Sequence, residues 1–232
     1  MLIDFVNSLR YLFFVAKPKS KQIQLKLTGF ILGASRIRDN DLVIRFLGKD
    51  FGRIDGVCYG IKKRGSKFSG AYETFQCGTA LFAKRASAVL WVMKEFESDE
   101  SPALTSSWRH TIALQAGAEL LLLGGPEERM EADMYEFASS FIEANRSNSD
   151  PYAPLFAFAV KWLQKNGYLN PPESIKNNAD KFIASVIKDD PLRWKKYKIT
   201  AETRKVLSSN ITNNIERVLE RSWKGIRILE RI

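Results

Sequence analysis

Histidine and cysteine are nearly absent from this chain, which has one histidine, His110, and two cysteines, Cys58 and Cys77, in 232 residues. A zinc site of the usual Cys/His kind needs four such ligands, so none can be assembled within the chain. There is no Cys-x-x-Cys pair. Each cysteine falls inside a predicted strand, the pattern of a small apolar residue kept in a reducing cytosol. His110, in a helical run beside Trp108 and Arg109, reads as structural. A phosphate-cradling GxxxxGK(S/T) loop is missing, which removes the usual nucleotide-hydrolysis site. The apolar segment from Tyr11 to Ala16 is too short to span a bilayer, and Asp4, Asn7, Ser8 and Arg10 before it do not suit a secretory leader. No membrane association is expected, and residues 1–21 read as an N-terminal extension.

Carboxylates do not converge either. Asp39, Asp41, Asp50 and Asp55 lie near basic loops and are the candidates for a divalent metal that cleaves phosphodiesters. Each also sits in or beside a turn, where aspartate serves the backbone, and none pairs with another at i, i+3 or i, i+4. The expectation is a non-enzymatic protein without catalytic residues, metal or cofactor. A metal-dependent nuclease stands as the weaker alternative.

Basic residues, by contrast, are in excess, with a formal charge of +10. Residues 17–85 hold 15 Lys/Arg against 5 Asp/Glu, residues 86–150 hold 4 against 12, and residues 151–232 hold 16 against 8. Two basic regions thus flank an acidic one, and a concentration of cations on this scale favours a polyanionic partner.

Read in order, the chain begins its folded pattern at Gln22, where Ile23, Leu25 and Leu27 alternate with polar residues through Phe30 and Ile31, the period of a half-buried strand. A turn at 36–41 precedes two apolar runs, Leu42–Leu47 and Ile54–Tyr59, joined by Gly48-Lys49-Asp50-Phe51-Gly52 as a hairpin. The basic loop Lys62-Lys63-Arg64-Gly65-Ser66-Lys67-Phe68-Ser69-Gly70 follows, then strand-like runs Tyr72–Ala83 and Ala88–Phe96. Five strands without a helix suit a small barrel, most economically a nucleic-acid-binding OB-fold, although an SH3-like barrel has nearly the same strand spacing and periodicity does not choose between them. The polar stretch from Glu97 to Pro102 marks a domain boundary, which places the barrel at 22–98 and a second domain at 103–232.

Beyond it the period becomes helical. Trp108, Ile112, Gln115, Ala116, Glu119, Leu120 and Leu123 mark a first helix that stops at Gly124-Gly125. Pro126, Glu127 and Glu128 open a second, with Met130, Met134, Phe137, Phe141 and Ile142 inward. Asp150 caps a third, which has Pro151 at its start, Gly167 past its end and apolar residues on nearly its whole circumference. A fourth spans Ile175–Ile187. The run Leu192–Lys198 is either a second binding surface or a connector. Thr200 caps a further helix, and an amphipathic run continues to the C-terminus. The fold class is therefore α+β, a five-stranded barrel followed by an all-helical domain.

Arg36, Arg38, Lys49, Arg53, Lys62, Lys63, Arg64, Lys67, Lys84 and Arg85 fall at or beside barrel loops, where they are placed to track phosphates. Phe51, Tyr59, Phe68 and Tyr72 lie among them, as base-stacking residues or as core. The residues by themselves do not distinguish DNA from RNA, so an OB-fold RNA-binding module is the other alternative.

Gly29-Phe30-Ile31-Leu32, Asp41-Leu42-Val43-Ile44, Gly52-Arg53, Gly60 with Lys62-Lys63-Arg64, Ser66-Lys67 and Gly70 together resemble the N-terminal OB domain of bacterial RecO recombination mediators. Trp162 to Pro171 resembles that family's helix ending in Leu-Leu, Gly-Tyr and proline. The resemblance implies a cytoplasmic, nucleoid-associated repair protein. Such a protein would bind single- and double-stranded DNA, anneal complementary strands, and help load RecA together with RecR and the single-strand-binding protein. It further implies that the acidic tail of the single-strand-binding protein docks on the helical half, where charge and helical spacing nominate Lys161, Lys165, Arg204 and Lys205. Many family members carry a four-cysteine zinc module after the Gly-Tyr-Pro region. Residues 172–200 here contain no cysteine, so that metal is not carried over.

Overall fold

The computed structural model describes residues 22–61, 73–99, 107–124 and 133–231. Strand β1 (Gln22–Arg38) is longer than its alternation suggests, and the reversal expected at 36–41 shrinks to Asp39-Asn40. The length has a topological reason: β1 serves two neighbours. Its first half pairs antiparallel with β4 (Cys77–Arg85), and its second half with β2 (Asp41–Gly48). Between them its register slips at Ile31/Gly33, a bulge that bends the strand from one partner to the other. Gly29 sits where both pairings overlap, and a side chain there would run into the Leu47 carbonyl.

β2 pairs antiparallel with β3 (Gly52–Cys58) through the expected hairpin, whose Gly52 takes a left-handed φ of 86°. The end of β3 pairs parallel with the start of β5 (Trp91–Ser98), and β5 pairs antiparallel with β4. The barrel closes in the order β1-β2-β3-β5-β4. That order settles the choice left open by strand spacing in favour of the OB-fold. Ile31, Ile44, Phe46, Ile54, Phe82, Met93 and Phe96 fill the interior. The last two strands start later than their apolar runs, at Cys77 and Trp91: Phe75 and Gln76 still bond to Ile31 of β1, but the left-handed Phe75 breaks the extended ladder, and Val89 and Leu90 lie outside it.

The second half is helical: α1 (Trp108–Gly124), α2 (Asp133–Ser147), α3 (Tyr152–Lys165), α4 (Asn178–Lys188), a 3-10 turn (Pro191–Lys196), α5 (Ala201–Leu219) and α6 (Lys224–Glu230). The expected start of the second helix at Pro126, with Glu127, Glu128 and Met130, lies outside the described residues. In α1 the buried set is Ala113, Leu114, Ala116, Ala118, Leu120 and Leu121, while Trp108 is half-exposed and Gln115 exposed. The helix is covered on more sides than a single stripe allows. α3 is central as its composition predicts, and Asp150 accepts the Tyr152 N–H at 3.0 Å. α4 begins at Asn178, after the Asn177 cap, so Ile175 remains outside it and exposed. The C-terminal run breaks in two at Glu220, which adopts a left-handed φ of 51°. Glu119 of α1 then accepts the backbone N–H groups of Lys224 and Gly225 at the start of α6. In the Leu192–Lys198 run, Trp194 is fully buried against Phe137 and Phe158, and the Tyr197 hydroxyl donates to Asp189 at 3.0 Å. The aromatics of that run are packing groups, which favours the connector reading.

Phe30, Leu32, Leu47 and Phe75 of the barrel belong to the same apolar cluster as the helices. Rings continue through it: Phe75 meets Phe30 and Phe141 edge-on, Phe141 stacks on Phe158, and Phe158 stacks on Phe137. Phe75 holds a left-handed φ of 60°, at a strain of about 1–3 kcal/mol that full burial of its ring outweighs. Phe75→Ala should cost about 3–5 kcal/mol of stability, measured as a lowered urea midpoint. Burial also pushes the Cys58 thiol up to about 12, whereas Cys77 is only half-buried. A thiol reagent added to native protein near neutral pH should therefore spare Cys58 until the chain unfolds, and rapid labelling of Cys58 in the folded state would contradict this packing.

Candidate nucleic-acid interface

Hydrogen bonding ties two segments of the barrel together, and a short strand pairing brings a third beside β3. The Ile61 N–H donates to the Asn40 carbonyl and the Gly60 N–H to the Asp41 carboxylate, both at 2.9 Å, so the end of β3 is fastened to the β1–β2 turn. Gly56 and Val57 of β3 lie beside Trp91 and Val92, which begin β5 directly after the β4–β5 hairpin. Arg36 and Arg38 stand at the β1–β2 turn and Arg85 at the β4–β5 hairpin, all exposed. Lys84 is half-buried, its Nζ 5.3 Å from the centroid of the Trp91 ring. Tyr59 is 60% exposed and follows β3. Four of the ten cations nominated from sequence thus stand near the two ends of β1, Lys84 and Arg85 beside its start and Arg36 and Arg38 at its close.

Two others are placed elsewhere. Arg53 is only 8% exposed; its Nε donates to Asp55 at 3.1 Å and its Nη1 to the Leu122 carbonyl of α1 at 3.2 Å. It clamps the barrel to the helices and is turned away from solvent phosphate, a correction to its reading as a phosphate contact. Lys49 is exposed, but its Nζ lies 6.0 Å from the ring of Tyr135 in α2, and its loop is anchored by its own N–H on Thr28. It belongs to the helix side. Lys62, Lys63, Arg64 and Lys67 lie outside the described residues, as do Phe68 and Tyr72, while Phe51 is half-buried against the barrel core.

The aspartates have structural partners. Asp41 holds Gly60, and Asp55 is paired with Arg53 and, at 3.9 Å, Arg45. Among the described residues no group of three His, Cys, Asp or Glu side chains gathers around a common point.

In the helical half, the four nominated cations do not form one rim. Lys161 is half-buried and donates to the Ile187 carbonyl at 2.7 Å, with burial lowering its pKa, and Lys165 lies 6.0 Å from the Phe137 ring. Arg204 lies at the opposite end of α3, its guanidinium 4.5 Å over the Tyr152 ring. It lines a cleft of about 650 Å³ together with Arg109, His110, Arg146, Asn148 and Asp150. His110 donates through Nε2 to the Asn148 carbonyl at 2.9 Å, which fixes its ring against the cleft wall. Lys205 lines an adjoining hollow with Arg204, Ser208 and Glu230. Sequence reasoning missed Arg109 and Arg146 because they lie in the acidic segment of the chain. Only the return of α5 across the ends of α1 and α2 brings Arg204 to them.

Residues 22–98, the barrel itself, match the family model described as recombination protein O N terminal. The barrel is therefore similar to the N-terminal domain of the RecO family. The resemblance drawn from Gly29, Asp41, Gly52 and Gly60 with their neighbours is thereby borne out. A curated relative, the DNA repair protein RecO of Syntrophus aciditrophicus (strain SB), is 24% identical over 144 residues, which cover 62% of this chain and 56% of that protein. The chain thus spans little more than half the length of the curated relative it matches. In this RecO-like barrel, Arg53 should prove structural: Arg53→Ala leaves Leu122 without its donor and should lower stability by about 1–3 kcal/mol, while Arg36→Ala should leave the urea midpoint unchanged.

Proposed function

We propose that this chain is a recombination and repair mediator that binds single- and double-stranded DNA along the β1–β2 and β4–β5 border of its barrel and promotes pairing of complementary strands. The observation that carries the reading is the exposure of Arg36 and Arg38 at the β1–β2 turn and of Arg85, beside Lys84, at the β4–β5 hairpin of a barrel that matches the RecO N-terminal family. Cations placed there neutralise phosphates and release condensed counterions, which supplies affinity without base sequence. Neutralisation also reduces the repulsion between two strands brought to one surface, the physical barrier to annealing. No bond need be made or broken, so the protein acts by binding and positioning.

By family likeness, the partners are RecR and the single-strand-binding protein, with RecA loaded as the consequence, in the bacterial cytoplasm at the nucleoid. The acidic tail of the single-strand-binding protein fits the Arg109, Arg146 and Arg204 cleft best. That cleft is lined by three guanidinium groups that suit carboxylates, with Arg204 resting over the Tyr152 ring.

Two measurements test these assignments. Reversing Arg36, Arg38 and Arg85 to glutamate should weaken binding to any DNA sequence and flatten the slope of log affinity against log salt, by about 0.7 for each single-strand phosphate that is no longer neutralised. An unchanged slope, cleavage of the DNA in magnesium, or equal competition by matched RNA would each turn the reading elsewhere. Arg146→Glu with Arg204→Glu should abolish binding of the tail peptide while leaving DNA affinity in place. Loss of both together would show that the two basic regions are not separate sites.

A further inference from the structure

The same border carries an apolar feature that phosphate tracking does not use. Val89 is 87% exposed and Leu90 62%, at the tip of the β4–β5 hairpin (residues 86–90). Neither belongs to either apolar core. The other exposed large hydrophobics among the described barrel residues are Ile23, Ile37 and Tyr59. Ile37 lies between Arg36 and Arg38, Tyr59 adjoins the β1–β2 turn, and Ile23 pairs with Lys84 at the root of the hairpin. Among the described residues, the barrel's exposed large apolar side chains are therefore all interleaved with the exposed cations, and the side of the barrel facing α1 and α2 has none.

Resting on the DNA-binding reading above, we infer that Val89 and Leu90 form an apolar wedge that enters between neighbouring bases, so that the barrel holds its strand locally unstacked. Side chains of this kind at a protruding tip unstack base steps when adjacent cations anchor the backbone on either side. Here Arg85 and Lys84 precede the tip, and Arg36 and Arg38 are exposed at the other end of β1. Bases freed in this way meet Tyr59 and Ile37, which offer an aromatic face and an aliphatic one without any demand for sequence. The flanking cations select nucleic acid as the occupant over an apolar protein surface. The consequence is specific: a strand held with open base faces is ready to pair with its complement.

The test uses the whole chain and an oligonucleotide with 2-aminopurine inside the bound segment, whose emission is quenched by stacking, with affinity measured separately by anisotropy of an end label. Saturating protein should raise the 2-aminopurine emission. Val89→Ser with Leu90→Ser, at exposed positions and with an unchanged urea midpoint, should remove most of that rise at saturation while keeping the salt slope. Arg85→Glu should do the converse, lowering affinity and slope but preserving the rise once the site is filled. A full rise from the serine variant, or none from the bound wild type, overturns the wedge and leaves DNA binding standing. Absence of DNA binding in the wild type overturns both. If the serine variant keeps the rise but loses binding to vesicles of anionic phospholipid, the tip belongs to a membrane contact and the inference is wrong.

Discussion

The structure depends on one packed line of aromatic rings. Phe30 and Phe75 leave the barrel, Phe141, Phe158 and Phe137 continue through α2 and α3, and Trp194 closes the line from the 3-10 turn. Rings of this size fix orientation as well as burying area, because edge-on and offset contacts hold only over a narrow range of angles. The barrel is held against the helices by this line and by the Arg53 clamp onto Leu122. One flank of the barrel is thereby occupied, while the β1–β2 turn and the β4–β5 hairpin carry exposed side chains.

That constraint explains why similar-looking cations have different roles. Arg53 and Lys49 come from the β2–β3 hairpin and its margin, which face the helices, and their charges are taken up by a carboxylate, a carbonyl and an aromatic ring. Arg36, Arg38 and Arg85 come from the β1–β2 turn and the β4–β5 hairpin, which face solvent. An exposed guanidinium keeps its hydration until a phosphate displaces it, whereas a buried one must be paired where it stands. The helical half follows the same rule. Lys161 is bound to a main-chain carbonyl, while Arg204 joins Arg109 and Arg146 around an open cleft.

Much of the fold was legible in the sequence because its signals are local. The alternation from Ile23 to Leu27, the Gly48–Gly52 turn, and the Asp150, Pro151 and Gly167 punctuation of α3 each act over a few residues. The long second half of β1 was not legible, since Arg36-Ile37-Arg38 has turn-like composition and becomes strand only by pairing with β2. Nor was the break at Glu220, where helical periodicity continues in sequence but α6 turns back onto Glu119 of α1. Local signals located the cations at loops but not which way each loop faces. Arg53 shows the difference most clearly, because its neighbours Gly52 and Asp55 look like an open turn while its partner Leu122 is 69 residues away. The exposed tip at Val89 and Leu90 was hidden for the opposite reason, since two apolar residues before Trp91 read as the start of a strand.

The central claim is that a polyanion occupies the barrel border remote from the helices. Amide hydrogen exchange of the whole chain, with and without a single-stranded oligonucleotide at saturation, tests it most directly. The account predicts slowed exchange in peptides covering residues 36–42, 59–61 and 84–91, with the β2–β3 hairpin around Lys49 and the segment from 178 to 200 unchanged. Protection confined to the Lys49 hairpin or to the helical segment, with the border unaffected, would contradict it.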